Sequence, residues 1–189
     1  MSADAVTQIL DAYGRCEQLT AGERDKLSAK GIFSPALDFD KVLGHFRIVC
    51  ARVTFEGPWF DFGAGGKRMP IIVCRDERGD VADLAAWSPA DDKVHLWLGN
   101  VGMIGEEACL RPRTDDQRMW VRDGVLDWLQ HGRTGVVVVL ADRARALLTA
   151  ASPLAVKSIE HKRRLDGLWR APEVRVFDVG QAESAVEAA

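Results

Sequence analysis

Apolar residues at helical spacing mark the N-terminal part of the chain. The first stripe of this kind consists of Val6, Ile9, Leu10 and Tyr13. It predicts a helix with one apolar face. Thr20 and Glu23 have the spacing of a capping box, so a second helix should begin there and stop at Gly31. Ser34, which precedes a proline, predicts the start of a third helix. We therefore expect residues 1–45 to be an N-terminal helical segment.

The middle of the chain changes to the two-residue period of strands. Its apolar runs cover residues 47–56, 70–75, 81–87 and 94–98. A polar stretch around Gly79 separates the second and third runs, which is typical of a hairpin turn. Another turn follows the third run. This pattern predicts an antiparallel β meander over residues 46–112.

Short apolar runs alternate with helical patterns in the last third. The predicted strands cover residues 119–121, 136–140, 154–156 and 174–179. Asp123 and Asp142 stand where each could cap the helix that follows a strand. Strands separated by helices imply right-handed crossovers and a parallel sheet. We expect a βαβαβ parallel-sheet half over 113–180 and a disordered tail at 181–189, so the fold class is α/β, or α+β overall.

Composition excludes several classes of protein. The 189 residues are 47% hydrophobic and carry a net charge of -3, which argues against a strongly basic nucleic-acid binder. No apolar run approaches the roughly 18 residues that span a bilayer, and no secretion signal is present, so a cytoplasmic location without membrane contact is expected. The four cysteines form no CxxC pair. We therefore expect no metal and no cofactor.

The net charge hides a basic segment. Residues 142–170 hold seven basic and three acidic side chains, a local charge of +4, which leaves -7 on the rest of the chain. The candidate nucleic-acid contacts in this segment are Lys157, Lys162, Arg163 and Arg164. A solvated surface is an equally good interpretation of the same charges.

A glycine-rich stretch at residues 63–68 ends in Lys67 and Arg68, which are candidates for binding an anion at a loop. The stretch fails the Walker pattern, because Arg68 stands where Ser or Thr is needed. It also fails the dinucleotide fingerprint at the same position. A flexible connector is the favoured interpretation.

Six tryptophans are present, and Trp59 lies just before the glycines. Core packing is the favoured interpretation of the aromatic residues, although exposed tryptophans could stack on bases or anchor a protein partner.

The C-terminal half resembles a Toprim domain. Residues 119–127, with the sequence Met-Trp-Val-Arg-Asp-Gly-Val-Leu-Asp, are similar to the opening of that domain, where a strand ends in an acidic residue followed by glycine and a helix. The resemblance places the next strand at 136–140 and the strand that ends in an Asp-x-Asp pair at 154–156. The hairpin at 71–87 is similar to the region before Toprim in primases of phages and plasmids.

Two departures decide what the resemblance implies. Asp123 stands where the family has glutamate, and Lys157-Ser158-Ile159-Glu160 replaces the Asp-x-Asp pair. A lysine among the carboxylates competes with magnesium. We therefore expect a non-catalytic accessory protein with a degenerate Toprim-like half, associated with a mobile element and with nucleic acid or a replication protein. The alternatives are a protein–protein interaction module and an enzyme on phosphorylated substrates that uses Asp123 and Glu160.

Overall fold

The computed structural model describes residues 3–38, 45–111 and 117–169. It shows a mixed α/β protein with an N-terminal helix, a five-stranded mixed β-barrel and small parallel β-α-β elements with helices. The predicted mixed α/β class is confirmed. The predicted strand at 174–179 and the tail at 181–189 lie outside the described residues.

The N-terminal part forms two helices and one tight turn. Helix α1 (Ala3–Gly14) buries Ile9 and Ala12, and the short strand β1 (Glu17–Gln18) follows it. Helix α2 (Ala21–Ser28) begins with the predicted capping box, in which Thr20 and Glu23 bind each other's backbone. The predicted third helix is, within the described residues, a 3₁₀ turn at Ser34–Ala36, and its N-cap is Phe33 rather than Ser34.

The middle of the chain closes into a barrel instead of an open meander. Its strands are β2 (Val49–Glu56), β3 (Trp59–Phe62), β4 (Lys67–Arg75), β5 (Val81–Trp87) and β6 (Val94–Leu96). Strand β2 pairs with both β3 and β4, and Trp59 of β3 pairs with Leu96 of β6 in parallel. The β4–β5 hairpin forms as predicted. The barrel is mixed because β3, which the sequence pattern does not identify as a strand, closes it.

The remaining elements form a second, smaller layer. They are β7 (Met103–Ile104), β8 (Met119–Trp120), α3 (Val125–Gln130), β9 (Val137–Val138), α4 (Ala141–Ala150), β10 (Leu154–Ala155) and α5 (Ile159–Trp169). Strands β8 and β10 are parallel, and Val121 forms a parallel bridge to Val136 beside β9. Strand β7 pairs with β9 in the antiparallel sense. The carboxyl ends of β8 and β10 therefore lie at the same edge.

The predicted caps Asp123 and Asp142 are wrong. Helix α3 follows Gly124 and helix α4 follows Leu140, and neither N-cap residue has a side-chain capping bond. In α3 the Leu126 N–H donates instead to the carboxylate of Asp92, at 3.0 Å, from the loop between β5 and β6. A distant residue thus does what a local one was expected to do.

The largest cluster of buried side chains extends across the layers. It contains Leu27 of α2, Trp87 of β5 and Trp128 of α3, which are all at most 3% exposed. Among the described residues, no helix has both the length and the apolar character that crossing a membrane requires.

Candidate functional site

Ionisable residues gather at the carboxyl edge of β8 and β10. Asp123 lies three residues after β8, and Lys157 lies two residues after β10 and two residues before α5. Because the two strands are parallel, their following loops are neighbours. The structure therefore places Asp123 and Lys157 in one region.

Asp123 is held by α5. Its carboxylate forms an ion pair with the Arg164 guanidinium, and its Oδ1 lies 3.9 Å from the Nδ1 of His161. His161 is 5% exposed, and its Nδ1 has no hydrogen-bond partner among the described residues. Burial lowers the pKa of His161, and the Asp123 carboxylate opposes that shift. The imidazole is therefore neutral near pH 7.

Asp127 is the buried carboxylate of this region. Its side chain is 9% exposed, and its Oδ1 lies 3.5 Å from the Lys157 ammonium and 3.4 Å from the His131 Nδ1. Its other oxygen accepts from the Asp123 N–H at 3.4 Å. Asp127 and His131 are four residues apart on one helix, a spacing at which side chains are neighbours. That Lys157 also reaches Asp127 depends on the parallel pairing of β8 with β10.

Asp92 adds a third carboxylate, contributed by the barrel. Its Oδ1 accepts from the buried Trp87 indole N–H at 2.6 Å, and its approach to α3 requires glycine at position 124, where any Cβ would overlap the Asp92 carboxylate. Burial raises the pKa of Asp92, and the charges of Asp123 and Asp127 raise it further. Asp92 is thus a structural link between the two layers. No sequence signal pointed to it.

Glu160 stands apart from these carboxylates. It is exposed, and its side chain forms no hydrogen bond or ion pair with another described residue. Within residues 3–38, 45–111 and 117–169, no group of three or more His, Cys, Asp or Glu side chains is arranged to hold a metal ion. The structure thus joins Asp123 with Asp127 and Lys157, and leaves Glu160 outside.

Most of the basic residues that are predicted to contact nucleic acid form ion pairs with acidic side chains. Lys162 forms an ion pair with Asp166 at 2.6 Å on the same helix, while Arg163 is exposed and has no ion pair with a described residue. Of the four candidate nucleic-acid contacts, Lys157, Lys162 and Arg164 therefore each face an acid. Arg170, the last cation of the basic segment, lies outside the described residues.

Lys67 and Arg68 lie at the start of β4 and have different surroundings. The Arg68 guanidinium donates to Glu23 at 2.8 Å, to Glu17 and to the Gln18 carbonyl at 3.1 Å. Lys67 is exposed and has no ion pair with a described residue. The glycines before them form a tight turn, in which a Cβ at Gly66 would overlap the Val53 backbone. Of these two residues, Lys67 is therefore the one available to bind an anion.

A cavity of about 520 Å³ lies between α1 and the barrel, and two thiols line it. Burial raises the pKa of Cys16 to about 11 and that of Cys50 to about 12. Both side chains are protonated near neutral pH, so neither is an activated nucleophile.

Two buried acids stabilise the link between barrel and second layer. Asp83 is fully buried and accepts from the Leu98 and Asn100 N–H groups at 2.9 and 2.8 Å. Glu106 accepts from the Gly102 and Met103 N–H groups at 2.5 and 2.9 Å. Their oxygens are used by backbone donors, which is a structural role.

The region at the carboxyl edge of β8 and β10 is therefore the best candidate site, and it combines carboxylates with basic side chains already in contact with them. Comparison of the chain with protein-family models, with curated proteins and with solved structures finds no match.

Proposed function

We propose that the chain is a non-catalytic accessory protein with a degenerate Toprim-like half, which binds nucleic acid or a replication partner. One observation carries the proposal: the carboxylates of Asp123 and Asp127 at the edge of the parallel strands face Arg164 and Lys157. In a catalytic member of that family, acids at this edge would hold magnesium.

The neutralised carboxylates argue against the enzyme alternative. Magnesium requires converging oxygen ligands and has to displace whatever cation already occupies them. Here the Lys157 ammonium lies 3.5 Å from Asp127, and Glu160 contributes no oxygen to the group. An enzyme that uses Asp123 and Glu160 lacks the geometry for two-carboxylate coordination in this arrangement.

Magnesium titration tests this part of the proposal. We expect the thermal unfolding midpoint of the wild type to be the same in MgCl₂ and in NaCl of equal ionic strength, because Asp123 and Asp127 already face Arg164 and Lys157. Differential scanning fluorimetry measures it. A magnesium-specific stabilisation that is lost in both Asp123→Asn and Glu160→Gln would instead support the enzyme.

The nucleic-acid part rests on the exposed basic side chains of α5. Lys162, Arg163 and Arg164 are consecutive, and two of them pair with acids that are at least 47% exposed. Exposed ion pairs contribute less than about 1 kcal/mol, so a phosphate can replace the carboxylate partner at small cost. Binding of this kind is weak and depends strongly on salt.

Salt-dependent binding to labelled DNA tests the proposal. The triple variant Lys162→Ala/Arg163→Ala/Arg164→Ala should weaken binding, and each lost phosphate contact should reduce the slope of log K against log salt by about 0.9. Asp123→Asn should strengthen binding a few-fold, because it frees Arg164 from its acidic partner. Fluorescence anisotropy at several salt concentrations measures both effects.

A matched control removes the same number of cations elsewhere. The control residues lie outside the basic segment: Arg15 directly follows α1, and Arg78 and Lys93 lie on turns of the barrel. Their triple alanine variant should bind like the wild type. Equal losses in both triple variants, or binding that does not respond to salt, would contradict a specific nucleic-acid surface on α5.

A further inference from the structure

A second groove lies between α2, the start of β4 and the loop that follows β5. Its volume is about 310 Å³. The floor is aliphatic and includes Leu19, Leu27 and Met69, which are at most 6% exposed. Among the described residues, no aromatic side chain lines it. The groove thus offers an apolar surface without a platform for stacking a nucleobase.

The rim of this groove is positively charged. Lys26, Lys30 and Lys67 line it, are exposed, and form no ion pair with a described residue. The remaining charged residues of the rim, Arg68 and Glu23, are paired with each other at 2.8 Å. The lysines therefore have no balancing carboxylate within the described part of the groove, and they favour an anionic occupant.

An open strand edge borders the same groove. Over residues 67–70, β4 pairs with β2 on one side, whereas its pairing with β5 begins only at Ile71. Strand β5 does not continue beside residues 67–70, because the chain turns after Trp87. In that turn the Ser88 N–H donates to the Lys93 carbonyl at 2.8 Å. The other side of residues 67–70 has no strand neighbour among the described residues.

The direction of the backbone groups follows from the register. Arg68 is opposite Arg52, and the Arg52 carbonyl accepts from the Gly63 N–H at 3.0 Å, on the β3 side of β2. Paired residues of an antiparallel ladder point either both toward each other or both away. The N–H and carbonyl of Arg68 therefore point away from β2, toward the open edge.

We propose that this groove binds an extended acidic peptide of a partner protein, with an aliphatic side chain in the apolar floor. The lysines would contact its carboxylates, and the edge of β4 at Arg68 would donate to and accept from its backbone, as in strand addition. A phosphate ligand fits less well, because Arg68, the residue suited to bidentate phosphate contacts, is already held by Glu17 and Glu23.

This inference is independent of the function proposed above. The groove uses residues of α2 and β4, and none of the residues at the edge of β8 and β10. Either proposal can therefore fail while the other holds.

Two labelled synthetic peptides test the inference in fluorescence anisotropy with the full chain at low salt. The probes are acetyl-Glu-Asp-Leu-Glu-Leu-Asp-amide and a companion with its leucines shifted by one position. Control peptides replace either the leucines by serine or the acids by their amides. We expect both acidic leucine peptides to bind and both kinds of control peptide to bind at least about tenfold more weakly.

Variants locate the binding. Lys26→Glu/Lys67→Glu should weaken binding about tenfold, since two attractions become repulsions. Ala90→Phe fills the groove from an exposed position and should weaken binding without changing charge. Arg15→Glu/Arg78→Glu makes the same charge change elsewhere and should leave binding within about twofold.

Several outcomes would overturn the proposal. They are failure of both peptides to bind the wild type, equal losses in the lysine variant and its control, and unchanged binding in Ala90→Phe. A labelled oligothymidine that binds the wild type and displaces the peptide, with the same dependence on Lys26 and Lys67, would identify the groove as a nucleic-acid surface instead. Circular dichroism of each variant separates lost binding from lost folding.

Discussion

Several of the charged candidate residues form ion pairs with other side chains, and this pairing decides whether each of them is available to a ligand. Lys67 and Arg68 are adjacent in sequence, yet Arg68 is surrounded by the carboxylates of Glu17 and Glu23 while Lys67 is exposed. The sequence predicts both as one anion site, because it shows which charges are neighbours along the chain and not which acids approach them across it. The capping box at Glu23 was predictable since its partners lie three residues apart.

Glu23 makes stability depend on pH in a defined window. The Arg68 guanidinium is the main cause that lowers the pKa of Glu23 to about 2, while its ordinary value is 4.5. The folded state then releases the proton more readily than the unfolded state, so this stabilisation is present above about pH 4.5 and is lost as the pH falls toward 2. We expect Glu23→Gln to lower the free energy of unfolding by about 1–2 kcal/mol at pH 7.

Urea titrations at a series of pH values measure this difference. The gap between the wild type and Glu23→Gln should close as the pH falls through that window. A gap that stays constant down to pH 2 would mean that the charge of Glu23 is not what stabilises α2. Asp25→Asn removes one carboxylate from an exposed position on the same helix and is the matched control.

Helices and strands form as predicted where the sequence signal is local. They differ from the prediction where pairing with segments distant in the sequence determines the structure. The alternation of residues 70–87 predicts the β4–β5 hairpin, which forms. The apolar run at 136–140 predicts a longer strand than β9. Strand β9 ends at Val138 because the N–H groups of Val139 and Leu140 both donate to the Gly102 carbonyl and so do not continue the β ladder. Closure of the barrel by β3 was not predictable, since it depends on partners in β2 and β6.

Two glycines before β9 differ in what surrounds them, and that difference predicts unequal effects. Gly132 and Gly135 have φ angles of 63° and 83°, a region that alanine adopts at a cost of about 1–2 kcal/mol. A Cβ at Gly132 would meet nothing within 4 Å, whereas one at Gly135 would overlap the Trp120 carbonyl, which accepts the Val136 N–H at 2.9 Å.

Gly135→Ala should therefore destabilise the protein more than Gly132→Ala. We expect the excess to be about 1–3 kcal/mol, because the overlap pushes β8 away from the chain at Val136. Chemical denaturation of both variants measures it. Equal losses would show that backbone conformation alone sets the cost and that the two segments do not approach as closely as described.

Across the whole molecule, the largest cluster of buried side chains and a polar link through Asp92 both join the barrel to the second layer. The cluster contains Leu27 of α2, Trp87 of β5 and Trp128 of α3, and Asp92 joins the barrel to α3 through the Trp87 and Leu126 N–H groups. A sequence pattern can mark each of these side chains as buried or polar. It cannot show that Asp92 caps a helix that begins more than thirty residues later, because that contact exists only after both layers have formed.

Asp92→Ala tests whether the two layers unfold together. The change leaves the buried Trp87 indole N–H and the N-terminus of α3 without an acceptor, and it places alanine at a φ of 57°. We therefore expect the free energy of unfolding to fall by about 2–4 kcal/mol.

Two variants serve as controls for this loss of stability. Asp92→Asn keeps one acceptor oxygen and a side chain that tolerates this φ, so its free energy of unfolding should fall less. The neighbouring Asp91→Ala removes contacts with Ser88 and with the exposed Lys93 but no buried acceptor, and should destabilise the protein less than Asp92→Ala does. Because the largest buried cluster spans the barrel and the second layer, tryptophan fluorescence and far-ultraviolet circular dichroism should report a single unfolding transition in all three variants. Separate transitions in Asp92→Ala would instead identify Asp92 as the link on which cooperative unfolding of the barrel and the second layer depends.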